Sequence, residues 1–153
     1  METVKALIRK KPLFFVILTG IYVILTVFLR WHIHLSWDTL WFVIGAAVGI
    51  YFLDGAELFF RLEPSPFRSV VFGALFIVVS FFIVTSSAST LAAGLVLSLY
   101  LQMMLWQTGE WRLSGNLDSW YRQLAQPLPH KIQLWILWGS IGFFVLETAI
   151  FVR

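Results

Sequence analysis

The stretch GIYFLDGAELFFRLEPSPFRS (residues 49–69) decides the fold, because it sets two carboxylates, Asp54 and Glu57, inside an apolar run and then stops that run with two prolines. An ionised carboxylate in hydrocarbon is costly, so a helix that carries two of them turns them toward a protein interior or a polar cavity. Proline lacks the amide donor and clashes with the preceding turn, so LEPSP ends the helix and reverses the chain.

The rest of the chain supports a membrane setting for that stretch. Of 153 residues, 59% are hydrophobic, 18% aromatic and only 12% charged, against roughly 25% charged in soluble domains. Such a composition cannot build a water-soluble surface. The net charge of +3 does not point to nucleic acid, because four of the basic residues, Lys5, Arg9, Lys10 and Lys11, sit just ahead of the first apolar run instead of forming a patch on a soluble face. With no cysteine, disulfides, thiolate nucleophiles and cysteine metal sites are excluded. The first run is longer than a secretory signal core and leads into RWHIHLSWD without a small-residue cleavage pattern, which reads as an uncleaved signal anchor.

Crossing about 30 Å of hydrocarbon takes about 20 mainly apolar helical residues. Five runs meet this, over residues 12–30, 39–60, 67–85, 90–106 and 132–152. TSSAST joins the third and fourth, which either cross fully or form a re-entrant hairpin. With the N-terminus in the cytoplasm, the inner segments hold Lys5, Arg9, Lys10, Lys11, Arg61, Arg68, Arg112, Arg122 and Lys131, and the outer ones only Arg30 and Arg153. This asymmetry follows the positive-inside rule and predicts an inner-membrane protein with its C-terminus outside. Trp31, Trp37 and Trp41 gather at the outer boundary, and Trp106, Trp111, Trp120, Trp135 and Trp138 toward the inner one, as aromatic belts do. Between the last two spans, Leu117, Trp120, Tyr121 and Leu124 share a helical face. Their spacing predicts a short helix over 116–126, lying on the inner surface or, alternatively, in a cytosolic loop. The fold expected is an all-α polytopic membrane bundle, one integral domain over residues 1–153, with five transmembrane helices and this interfacial helix.

Asp54 lies roughly 22 Å along the second span, at about 1.5 Å per residue, and Glu57 one turn further on. Glu57 also precedes Arg61 by four residues, the favourable order for a helical ion pair. The third span starts at this depth with Arg68, and the fourth returns Gln102 to it. Asp54, Glu57, Arg68 and Gln102 are therefore expected to converge, either as a salt-bridged latch between spans two, three and four or as a ligand, metal or proton site. Glu147 falls near the outer end of the last span, with Arg30, His32, His34 and Asp38 as its expected company. In WHIHLSWD, His32 and His34 face the same way if the chain is extended, with Asp38 as a third candidate metal ligand. Gly45 and Gly49 form a GxxxG packing surface, and Gly139 and Gly142 flatten a face of the last span. No phosphate loop, HExxH or nucleophile elbow is present. No catalytic residue is assigned and no cofactor is expected.

Residues 67–106, FRSVVFGALFIVVSFFIVTSSASTLAAGLVLSLYLQMMLW, together with FLDGAELFF, resemble a group of small multi-span membrane proteins of candidate-phyla bacteria. That group is in turn distantly similar to membrane-bound metal-dependent hydrolase-like proteins. The group pattern has an acidic motif ending span two, commonly Asp-x-Asp-His, a Phe-Arg-Ser start to span three and a His-x-x-x-Asp pair ending span four. Asp54 and Arg68 match it; Glu57 stands near the group's His, and Gln102 and Trp106 take the places of the His and Asp. The resemblance implies a member that has lost the metal chemistry. The leading expectation is a scaffold or accessory subunit whose partners are the lipid bilayer and other membrane subunits or a second copy. The alternatives are a metal-dependent hydrolase at the cytoplasmic surface, with Asp54 and Glu57 as ligands or base, and a small proton-coupled transporter carrying its proton on Asp54.

Overall fold

The structure, a computed structural model, describes residues 12–32, 34–86 and 89–153. The basic cluster Lys5, Arg9, Lys10 and Lys11 and part of the TSSAST joint lie outside the described residues. Among the described residues five α-helices follow in order: α1 (Leu13–Trp31), α2 (Trp37–Phe60), α3 (Val70–Ser86), α4 (Thr90–Ser114) and α5 (His130–Val152), with a four-residue 3-10 turn, Asp118–Tyr121, before the last. Among the described residues there is no strand, so the chain is an all-α bundle.

Helix ends follow local chemistry. Ser36 and Ser89 cap α2 and α4 by accepting the amides of Thr39 and Ala92, both at 3.2 Å, which satisfies donors that a helix start leaves open. Gly115 ends α4 at φ 71°, and Arg61 ends α2 at φ 51° with its amide on the Glu57 carbonyl. These are left-handed C-terminal caps.

Helices α1, α2, α4 and α5 are long and apolar enough to cross a membrane by length and composition. α3 is apolar but has 17 residues, about 26 Å at ~1.5 Å per residue. It begins at Val70, later than the expected 67, because Ser69 Oγ donates to the Pro66 carbonyl at 2.9 Å and accepts the Phe72 amide at 3.2 Å. That bridge ties the start of the helix to the proline turn.

Successive helices run antiparallel, so Leu13, Phe60, Val70, Ser114 and His130 mark one end of the bundle and Trp31, Trp37, Ser86, Thr90 and Val152 the other. Cross-helix contacts fix this register. Tyr22 Oη lies 3.0 Å from Thr148 Oγ1, and Tyr100 donates to the Ser140 carbonyl at 2.9 Å. At the Trp31 end, Phe42 stacks on Phe151 at 5.1 Å between ring centroids, with Trp31 beside both.

α4 is the central helix, touching each of the other four. Its closest partner is α2, where glycines let the backbones meet. A Cβ on Gly45 would collide with the Leu91 carbonyl, one on Gly49 with Ser98 Oγ and the Leu95 carbonyl, and one on Gly94 with the Phe42 carbonyl. The GxxxG of α2 is therefore an intrachain packing surface. By contrast, a Cβ on Gly139 or Gly142 would meet nothing within 4 Å. Large apolar side chains such as Ile17, Ile24, Phe28, Leu75 and Phe82 point outward from α1 and α3, as a bundle in lipid requires.

The helix expected over 116–126 is a 3-10 turn of four residues. Three of the four residues of the expected apolar face are turned into the protein: Leu117, Trp120 and Tyr121 are buried and pack with Leu99, Met103 and Leu137, while Leu124 is exposed. An amphipathic spacing specifies an apolar partner, and here the bundle supplies it.

Candidate functional site

At the Leu13 end, α2 places Asp54 and Glu57 on one face by their i, i+3 spacing, and both are buried, at 2% and 6% exposure. The left-handed turn at Arg61 and the proline loop bring the chain back over that face and deliver Arg68. Its guanidinium donates from Nε to Glu57 Oε1 at 3.1 Å and from Nη2 to Glu57 Oε2 at 3.2 Å. The same Nη2 stands 3.6 Å from Asp54 Oδ1. The guanidinium also lies 4.2 Å from the centroid of the Trp106 ring of α4. A two-pronged arginine–carboxylate pair with a cation–π contact holds its charges in one geometry.

Gln102 of α4 reaches the same pocket but makes its contact with α1, donating from Nε2 to Thr19 Oγ1 at 2.5 Å. Thr19 in turn donates to the Phe15 carbonyl at 2.8 Å, and Phe15 meets Trp106 edge to face at 5.3 Å. The four expected residues thus line one pocket, and α1 joins them through Thr19. The space left between them is about 10 Å³, room for about one water molecule. The guanidinium on Glu57 is Arg68, and not Arg61 as the i, i+4 spacing suggested. The helix stops at Phe60, so Arg61 leaves the helical face it would need.

The WHIHLSWD segment does not gather as a metal site. His32 takes a left-handed conformation, φ 48° and ψ 39°, as the C-cap of α1, which breaks the extended geometry needed to align it with His34. His34 uses its carbonyl to accept Thr39 Oγ1 at 3.0 Å, and Asp38 lies exposed in the first turn of α2. Among the described residues, no group of three His, Cys, Asp or Glu side chains is arranged to hold a metal ion.

Polar groups outside the expected cluster are equally well placed. Gln133, fully buried, accepts the Leu117 amide at 2.8 Å and donates to Asp118 Oδ1 at 2.7 Å and the Leu128 carbonyl at 3.1 Å. Glu110 accepts Trp120 Nε1 at 2.8 Å and the Ser119 hydroxyl. These two side chains fasten the segment between α4 and α5. Near the Trp31 end, Glu147 is fully buried and accepts Ser80 Oγ at 2.7 Å; among the described residues no hydrogen bond or ion pair joins it to the Arg30, His32, His34 and Asp38 group expected beside it. A lone serine in the middle of α3 and the Thr19, Tyr22, Thr26 spacing along α1 are the sequence signals that could have found these partners.

Compared with protein-family models, with curated proteins and with solved structures, the chain matches none.

Proposed function

We propose that this chain is a non-enzymatic polytopic membrane protein, a scaffold or accessory subunit whose inner carboxylates lock helices together and do not bind a substrate. The observation that carries this reading is the closed geometry around Arg68: a fork to Glu57, a contact to Asp54, a ring face from Trp106, and room beside them for about one water and no substrate. A hydrolytic centre needs an open coordination position or a cleft beside its ligands.

In this reading the Leu13 end faces the cytoplasm of an inner membrane. It carries Arg61, Arg68, Arg112, Arg122 and Lys131, whereas the opposite end carries Arg30 and Arg153. Loops rich in Lys and Arg stay on the cytoplasmic side. Partners are the bilayer and other membrane subunits.

Metal content of detergent-purified protein is the test. A scaffold contains metal well below one ion per chain, unchanged in Asp54→Ala. Stoichiometric metal that is lost in Asp54→Ala would overturn the reading in favour of the metal-dependent hydrolase.

A further inference from the structure

The wedge between α3, α4 and α5 holds a carboxyl group that the latch at the other end does not use. Glu147 has no exposed surface, and its Oε2 accepts a single hydrogen bond, 2.7 Å from Ser80 Oγ. Its Oε1 has no hydrogen-bond partner among the described residues. Among the described residues the titratable groups on this side of α5 are phenols: the rings of Tyr22 from α1 and Tyr100 from α4 lie 5.3 and 5.2 Å from that of Phe144, one turn before Glu147. Each is occupied elsewhere, Tyr22 with Thr148 and Tyr100 with Ser140. From α3 it meets Ser80, and from its own helix Phe144 and Phe151 stand one turn to either side. Of the cations at this end, the Arg30 guanidinium lies 4.2 Å from the Phe151 ring centroid, and no ion pair joins Arg30 or Arg153 to Glu147 among the described residues.

A full negative charge in this setting has one neutral hydroxyl donor to offset the loss of its hydration. Burying an ionised carboxylate so sparsely solvated costs far more than burying the neutral acid, so in practice such a group takes up a proton. Intramembrane carboxyl groups of this kind mark proton relays and substrate paths. A cavity of about 90 Å³ lies in the same wedge, with Ile77, Tyr100 and Ser140 in its wall. Ile77 is one turn of α3 from Ser80, so the wall of the cavity includes a residue one turn from the hydroxyl whose hydrogen bond Glu147 accepts. The cavity is large enough for water, and the Tyr100 ring in its wall lies 5.2 Å from that of Phe144, one turn of α5 before Glu147.

We propose that Glu147 is a proton-binding site inside the bundle, held as a neutral carboxylic acid against Ser80, whose proton occupancy governs the contact between α3 and α5. With the proton bound, α3 and α5 close on each other. When the proton leaves to water entering through the cavity, the carboxylate must be hydrated and α3 separates from α5. The proposal does not depend on the scaffold reading, since it concerns a different carboxyl group at the opposite end.

Infrared spectroscopy of the full chain in lipid tests this directly, because the carbonyl stretch of a neutral carboxylic acid is resolved from that of a carboxylate and needs no reagent to reach the site. The expected result at neutral pH is one acid band that disappears in Glu147→Gln, shifts in Ser80→Ala and persists in Asp54→Asn. Glu147→Gln keeps the shape and an acceptor for Ser80, and its thermal stability, read alongside, shows that the bundle is intact. Absence of the band in the folded parent, or its persistence in a folded Glu147→Gln, would overturn the proposal. A Glu147→Gln chain that does not fold would shift the reading to Ser80→Ala and Asp54→Asn. A shifted band in the first and an unshifted one in the second supports the site, and the reverse pattern overturns it.

Discussion

Arg68 meets Glu57 edge to edge, Nε to Oε1 and Nη2 to Oε2, while Asp54 stands further off at 3.6 Å. The geometry therefore makes Glu57 the principal partner and Asp54 the second. Breaking a fully buried ion pair by removing one member typically costs about 3 to 5 kcal/mol. The cost is smaller here because Arg68 keeps 29% of its side-chain surface exposed and can turn toward water. Glu57→Leu is expected to lower the detergent melting temperature more than Asp54→Leu does. Adding Arg68→Leu to Glu57→Leu is expected to recover part of the loss, because apolar groups then replace the pair. Equal stability of Glu57→Leu and the parent would show that the latch does not hold the helices.

The glycines separate into two groups by what surrounds them. Overpacking a tight contact costs typically about 1 to 3 kcal/mol, and at Gly45 and Gly94 the obstacle to a Cβ is backbone carbonyl, which cannot step aside as a side chain could. Gly45→Ala and Gly94→Ala should each lower thermal stability. Gly139→Ala and Gly142→Ala, which meet nothing, should be neutral or gain up to about 1 kcal/mol from the better helix propensity of alanine. Thermal melts of the four variants check this, and a loss at Gly142 equal to that at Gly45 would contradict it.

Orientation is open to cysteine mapping, since the chain has no cysteine of its own. Asn116 is partly exposed, in the segment after α4 at the Leu13 end. A cysteine there should react with a membrane-impermeant maleimide only when the cytoplasmic side is opened, and one at Leu35, between α1 and α2, should react from outside. The opposite pattern would invert the bundle.

The convergence of Asp54, Glu57 and Arg68 was legible because helical spacing and a proline turn are local rules, and together they fix which residues return to which depth. The GxxxG contact was legible for the same reason. Partner identity was not. Glu57 had two arginines within reach on paper, and the helix end at Phe60 chose between them. Gln102 carries donors and an acceptor that suit any polar neighbour, so nothing in its spacing pointed to Thr19. The amphipathic face of Leu117, Trp120 and Tyr121 specified an apolar partner without saying whether lipid or protein supplies it. For Glu147, depth was correct and company was not: helix rotation, which no pattern of a mostly apolar span determines, turned it toward Ser80.

That protein-facing choice rests on Gln133, which gives the sharpest prediction for the segment between α4 and α5. Its amide oxygen accepts the buried Leu117 amide, and its amide nitrogen faces two acceptors, Asp118 Oδ1 and the Leu128 carbonyl. A buried group that loses its partner costs about 1 to 3 kcal/mol. Gln133→Leu should therefore release the segment, seen as faster hydrogen exchange at residues 116–121. Gln133→Glu discriminates further. It is nearly the same shape and still accepts from Leu117, so a role in packing alone predicts little change. The hydrogen-bond role predicts that it is at least as damaging as leucine when ionised, because it sets a carboxylate against the Asp118 carboxylate and a carbonyl oxygen with no donor between them. Exchange in Gln133→Glu as slow as in the parent at neutral pH would show that side-chain volume, and not the donor–acceptor pattern, fastens Trp120 and Tyr121 to the bundle.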